Sequence, residues 1–186
     1  MTKIKSLLNL LIAHLFGRVT LARFLGVKVG IKCRIYTHAF GSEPWLISIG
    51  DRVTISSGTK FLTHDGATWL VRGEEGRRFL YRPIAVGNDV FIGVDVIILP
   101  GVRLGDKVVV GAGSVLTKSI PNGMIVAGNP ARVIGTFAEF ESRIRETCPS
   151  EGDVGSGSLR VRVERARAEL KLSSYREELQ VLPGAR

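Results

Sequence analysis

The chain predicts a mainly β fold, a parallel β-helix, and three observations carry that expectation. Residues 86–121 divide into six consecutive six-residue units: VGNDVF, IGVDVI, ILPGVR, LGDKVV, VGAGSV and LTKSIP. Every unit opens on an aliphatic residue, namely Val86, Ile92, Ile98, Leu104, Val110 and Leu116. The fifth positions are Val90, Val96, Val102, Val108, Ser114 and Ile120, and Gly87, Gly93, Gly105 and Gly111 occupy second positions. A period of six excludes a helix, because positions six apart fall on different helical faces. In an extended chain the same positions point the same way, since side chains alternate with period two. The second-position glycines are expected to supply φ > 0 at each corner. A strand that bends every six residues and repeats closes into a prism, and hexapeptide repeats are the signature of a parallel β-helix.

Taken in order, residues 1–25 read as an amphipathic helix. Ile4, Leu7, Leu8, Leu11 and Leu15 recur at three- and four-residue steps, after Lys3 and Lys5. No small-residue cleavage site follows, so a secretory signal is not expected. One reading packs this helix on the end of the prism, over open strand edges. The other makes it a peripheral membrane contact at the inner face of the membrane. The prism spans 26–135, beginning with the imperfect units VGIKCR and IYTHAF and an interruption, GSEPWL, at 41–46. Regular units follow as IGDRVT, ISSGTK and FLTHDG. From Phe61 to Val86 the interval is 25 residues, one more than a multiple of six, so a loop leaves the prism within 67–85. It carries Trp69, Arg72, Arg77, Arg78, Tyr81 and Arg82, and long loops of this kind on a rigid scaffold are often functional. Residues 136–149 predict a helix, with Thr136 and Glu139 spaced as a capping box. Residues 150–158 are a flexible linker by composition, and 159–186 a peripheral, basic, helical tail.

Composition bounds the function. A formal charge of +9 over 186 residues points to anionic partners. No basic stripe interleaved with aromatics exists, so nucleic acid is not expected. No apolar run is long enough for a membrane span. Cys33 and Cys148 form no CxxC and fit two free thiols in a reducing cytoplasm.

His64 is the candidate general base, since imidazole accepts a proton near neutral pH. It lies in Thr63-His64-Asp65-Gly66, the last unit before the loop, among positions that are otherwise aliphatic or small. Asp65 is a candidate to orient its ring, although neighbours along a strand point to opposite faces. Gly111-Ala112-Gly113-Ser114 offers backbone N–H groups with little side-chain obstruction. Lys118 and Arg132 suit phosphate by charge and geometry. Gly111-x-Gly113 is not a dinucleotide fingerprint, because no third glycine follows and no helix opens there.

The nine hexads and these motifs closely resemble the hexapeptide-repeat acyltransferases, of the maltose and galactoside O-acetyltransferase kind. The resemblance implies three hexads per triangular coil, wound left-handed, an exception to the usual crossover rule. It implies acetyl-CoA as cosubstrate, no metal, and direct transfer in a ternary complex with His64 as base. It implies cofactor contacts at Gly93, Gly111, Ala112, Gly113, Thr117, Lys118, Asn129, Pro130 and Arg132, the last meeting phosphate near the adenine. Gly135 stands where some relatives place a second basic residue. Tyr36, His38, Glu43, Trp45 and Trp69 are the expected acceptor contacts, for a hydroxyl of a sugar or glycan precursor. A homotrimer with CoA between neighbouring prisms is implied as well. N-acetylation of an amino sugar and a non-catalytic scaffold are the alternatives. A zinc-dependent hydratase of the same shape needs three histidines, and only His38 and His64 lie in the prism region.

Overall fold

The computed structural model describes residue 9 and residues 11–169. The chain divides into two compact units, one ending at Phe137 and the other starting at Ala138. In the first unit the chain visits three parallel sheets in turn. One sheet holds Lys28–Val29, Ile47–Ile49, Ile84–Val86 and Arg103–Leu104. The second holds Arg34–Ile35, Thr54–Ile55, Phe91–Ile92, Val109–Val110 and Met124–Ala127, with Arg132–Thr136 added antiparallel. The third holds Lys60–Phe61, Ile97–Ile98 and Val115–Leu116.

The register confirms three hexads per turn. Val86 lies beside Leu104, Ile92 beside Val110 and Ile98 beside Leu116, each partner 18 residues on. The first coil is longer: Val29 pairs with Ile49 and Ile35 with Ile55, 20 residues on, so the GSEPWL interruption is absorbed as extra length. Across the loop the step is 37 residues, from Ile49 to Val86, Ile55 to Ile92 and Phe61 to Ile98. The loop therefore leaves and re-enters without disturbing any of the three columns.

Hexad first positions fill the interior: Ile92, Ile98, Val110 and Leu116 are fully buried, as are the fifth-position residues Val96 and Val108. Each such side chain contributes roughly 1.5–3 kcal/mol by leaving water. Ser114, the polar fifth position, is buried but satisfied: its Oγ donates to the Gly111 carbonyl at 2.6 Å and accepts from Gly128 N–H at 3.1 Å. Thr59 and Thr37, also buried, bond to backbone carbonyls of adjacent coils.

The second-position glycines serve a different purpose from the one expected. None of Gly87, Gly93, Gly105 and Gly111 has positive φ. The left-handed residues are hexad fourth positions: Asp89, Asp95, Gly101, Lys107 and Gly113. The second-position glycines are instead required by the neighbouring coil. A Cβ on Gly87 would lie 2.5 Å from Asp106 Oδ1, and one on Gly93 would lie 2.6 Å from Ala112 N. The aspartate and asparagine side chains that fill this space form a ladder. Asn88 Oδ1 accepts Asp51 N–H, Asp106 Oδ1 accepts Asn88 N–H, and Asn122 Oδ1 accepts Asp106 N–H, at 2.6–2.9 Å. Asp51 does the same for Ile31 at 2.9 Å.

At the N-terminus, residues 11–16 are helical and Gly17, at φ 83°, separates them from the helix Arg18–Phe24. Leu21 and Ala22 are buried, and Ala22 joins the prism core with Val27, as expected for a helix covering the first coil. Leu11, Leu15 and Phe16 are exposed. The expected positions Ile4, Leu7 and Leu8 lie outside the described residues. Among the described residues, no helix is long and apolar enough to cross a membrane.

The described residues of the second unit are mainly helical. Phe137–Thr147 forms the expected helix. Within 150–158, where composition suggests a linker, Ser150 caps a helical turn at Glu151–Val154 through a reciprocal bond with Asp153. The alternating LRVRV that opens the tail is helix throughout Leu159–Glu169. The tail beyond Glu169 lies outside the described residues.

Candidate active site

His64 sits where the third sheet ends and the loop departs. Its Nδ1 is 2.9 Å from Glu43 Oε2, and the same oxygen accepts the hydroxyl of buried Thr63 at 2.6 Å. Glu43 comes from the interruption in the repeat. Gly41, at φ 70°, passes so close to the next coil that a Cβ there would lie 2.8 Å from the Phe61 carbonyl. Pro44 then starts the short 3-10 turn Pro44–Leu46, for which Glu43 is the N-cap residue. The two departures from the hexad pattern thus meet at one imidazole.

The bond from Thr63, followed by that from His64, holds the Glu43 carboxyl below its ordinary range. The group is therefore ionised at neutral pH and acts as acceptor only. A neutral imidazole facing it carries its proton on Nδ1, which leaves the Nε2 lone pair directed elsewhere. The His64 side chain is 43% exposed and that of Glu43 14%, so the imidazole is reachable while its carboxylate partner is sheltered.

The orienting role expected of Asp65 falls to Glu43. Asp65 Oδ1 accepts Ala67 N–H at 2.9 Å and caps the 3-10 helix Gly66–Leu70. Strand alternation explains the outcome, because adjacent residues present opposite faces. Glu43, expected among the acceptor contacts, is bonded to His64. The coil interruption brings it next to a residue 21 positions away, which hexad counting cannot follow.

The loop closes at the same place. His64 and Tyr81 form an antiparallel bridge, with Asp65 N–H to the Leu80 carbonyl at 3.1 Å and Arg82 N–H to the Thr63 carbonyl at 2.8 Å. Trp69 lies on the capped 3-10 turn with the Arg72 guanidinium 5.0 Å from its ring. Of the other expected acceptor residues, His38 is exposed on the first coil, Tyr36 is beside the second-sheet column and Trp45 lies beside Gly26.

The expected cofactor residues fall into two groups. Gly93 and Ala112 are in direct backbone contact at one corner, with Gly111 and Gly113 flanking Ala112. Asn129 to Arg132 run alongside, since Val115 bonds both to the Gly128 carbonyl and to Ala131 N–H. Thr117 and Lys118 follow the strand Val115–Leu116 and stand at its other end, exposed. That end is the His64 edge: Phe61, Ile98 and Leu116 share one column, with Phe61 and Leu116 two coils apart. At a strand spacing of about 4.8 Å the separation along the prism is roughly 10 Å. Arg132 donates to the carbonyls of Pro130 and Ala131 and is exposed.

Acid stability should report the Glu43 anchor. A carboxyl whose folded pKa is depressed stabilises the fold above its unfolded value, near 4.5. That contribution is lost as pH falls below 4.5 and through the lower folded value. Denaturation midpoints measured from pH 6 down to 3 should therefore fall less steeply for Glu43→Gln than for the wild type. Equal slopes would mean that the carboxylate is not held as described.

Residues 83–118 match the family model described as the hexapeptide repeat of succinyl-transferase. The chain is 50% identical over 127 residues to Protein CapG of Staphylococcus aureus, covering 67% of this chain and 74% of that one. It is 40% identical over 92 residues to the galactoside O-acetyltransferase of Escherichia coli (strain K12), covering 50% of this chain and 45% of that one. A solved hexapeptide-repeat-containing acetyltransferase from Vibrio cholerae superposes with a TM-score of 0.57 at 27% identity, covering 71% of this chain and 88% of that one.

Proposed function

Because this chain belongs to the hexapeptide-repeat acyltransferases, we propose that it moves an acetyl group from acetyl-CoA to a hydroxyl of a sugar or glycan precursor. The observation that carries the proposal is the Glu43–His64 pair, which fixes the imidazole with its proton on Nδ1. Nε2 takes the acceptor hydroxyl's proton as that oxygen attacks the thioester carbonyl. The imidazolium, held against the Glu43 carboxylate, then returns the proton to the departing thiol sulfur. Charge is conserved, and no acyl-enzyme is needed. The exposed backbone around Ala112 and the side chains of Thr117, Lys118 and Arg132 would hold the cosubstrate. The name of the galactoside-acetylating relative supports a sugar acceptor. In this reading the coil winds left-handed and three copies assemble with the cosubstrate between neighbouring prisms.

The test uses purified protein, acetyl-CoA and a panel of hydroxyl sugars, following thiol release and product mass. A sugar carrying one base-labile acetyl ester is the expected product. Thiol release without an acetylated acceptor, or amide formation restricted to amino sugars, would overturn the proposal.

A further inference from the structure

The returning arm of the loop builds a track that starts at the base. Residues directly opposite in an antiparallel pair share a face, so Tyr81 stands on the His64 side. Ring contacts then carry the row from Tyr81 to Phe79 and from Phe79 to Arg77. The rings follow this order. His64 and Tyr81 centroids are 5.8 Å apart, Tyr81 and Phe79 are stacked at 6.3 Å and 16°, and the Arg77 guanidinium lies 4.4 Å from the Phe79 ring. Tyr81 and Phe79 are 51% and 60% exposed, so their faces are available. Burial in the core does not explain them, as it does Phe61.

The charge at the end of the track is uncompensated. Glu75 is 3.8 Å from Arg78, and Asp65 is committed to its cap. Among the described residues, Arg77 has no carboxylate within ion-pair distance. Its guanidinium is held over an aromatic ring, a placement that fixes the cation while leaving its N–H donors for another group. Four residues of fully extended chain, the separation of Tyr81 and Arg77 in sequence, reach at most about 13 Å, longer than one pyranose ring.

Resting on the acetyl-transfer reading above, we propose that the acceptor is acidic and extended. Its reacting sugar lies at His64, its body crosses Tyr81 and Phe79, and a carboxylate or phosphate reaches Arg77. The anion has two sources, a uronic acid within the glycan or the phosphate of an activated sugar, and the experiment separates them.

Three probes are compared with the full chain and acetyl-CoA: a disaccharide ending in a uronic acid, its neutral methyl ester, and a nucleoside-diphosphate sugar. Wild-type kcat/KM is expected to be about tenfold higher for one anionic probe than for the ester, the scale of a charge-assisted hydrogen bond. Preference for the uronate identifies the glycan source, and preference for the diphosphate identifies the activated sugar. Arg77→Ala should bring the anionic-to-neutral ratio close to one, mainly through KM, and Arg77→Lys should restore part of it. Equilibrium binding of the same probes to wild type and Arg77→Ala, followed by calorimetry, gives a readout that does not depend on turnover. Equal use of ester and acid, or a ratio indifferent to Arg77→Ala, overturns the acidic acceptor while leaving acetyl transfer intact. Absence of binding by both anionic probes overturns it too. Loss of acetyl transfer to every hydroxyl sugar instead strikes the reading on which it rests.

Discussion

His64→Ala should lower kcat for acetyl transfer by roughly 10²–10⁴-fold, the range a positioned general base supplies. KM for either substrate should move far less, because in the proposed reaction the imidazole acts on a proton that is shared in the transition state. The fold should change only slightly, since the side chain is substantially exposed and Glu43 keeps its bond from Thr63 when the one from His64 is lost. Steady-state kinetics beside a thermal melt check both halves. Turnover within a few-fold of wild type would remove the imidazole from the reaction. Glu43→Gln gives a useful comparison: the amide oxygen can still accept from Nδ1, but without the charge that steadies the imidazolium. Its loss should be real and smaller than that of His64→Ala.

Gly93→Ala should destabilise the fold by about 1–3 kcal/mol, the scale of forced overpacking. The new methyl would fall 2.6 Å from Ala112 N, 2.8 Å from Ala112 Cα and 2.9 Å from the Val110 carbonyl. All three are main-chain atoms of the next coil, so no flexible side chain can swing aside. The coils must separate locally, which strains the bond from Gly93 N–H to the Val110 carbonyl at 2.9 Å. Urea denaturation measures the effect directly. Gly123→Ala is an instructive contrast, because no neighbour stands within 4 Å and its cost comes from positive φ. A Gly93→Ala protein as stable as wild type would mean that the coils are spaced more loosely than described.

The prism was readable because its information is local and repeated. A single aliphatic every sixth residue names the column, and the register from Val86 to Leu116 follows it without a fault. The purpose of the glycines was not readable, since their constraint comes from atoms 18 or so residues away rather than from their own backbone. Asp89, Asp95 and Lys107 adopt the left-handed conformation at corners where composition alone points to glycine. At the site, His64 stood out because it is chemically unlike the rest of its repeat. Its partner did not, because Glu43 belongs to a stretch that obeys no period. Asp65, the carboxylate adjacent in sequence, is directed elsewhere by chain alternation and by its capping of the Gly66–Leu70 turn. Tyr81 and Arg77 stand out in the loop sequence, and Phe79 between them does not. The row they form emerges only from the bridge that returns the loop to His64 and from the ring contacts beyond it.

The side-chain ladder through Asp51, Asn88, Asp106 and Asn122 makes each turn a standard part. Every rung offers the same oxygen to the turn before it and asks the same oxygen of the turn after it, as in other repeat architectures where contacts stop at the nearest neighbour. Duplication or loss of a whole turn during evolution therefore leaves both new neighbours compatible at once. Such a molecule can change length by whole turns, in increments that never require a simultaneous second mutation.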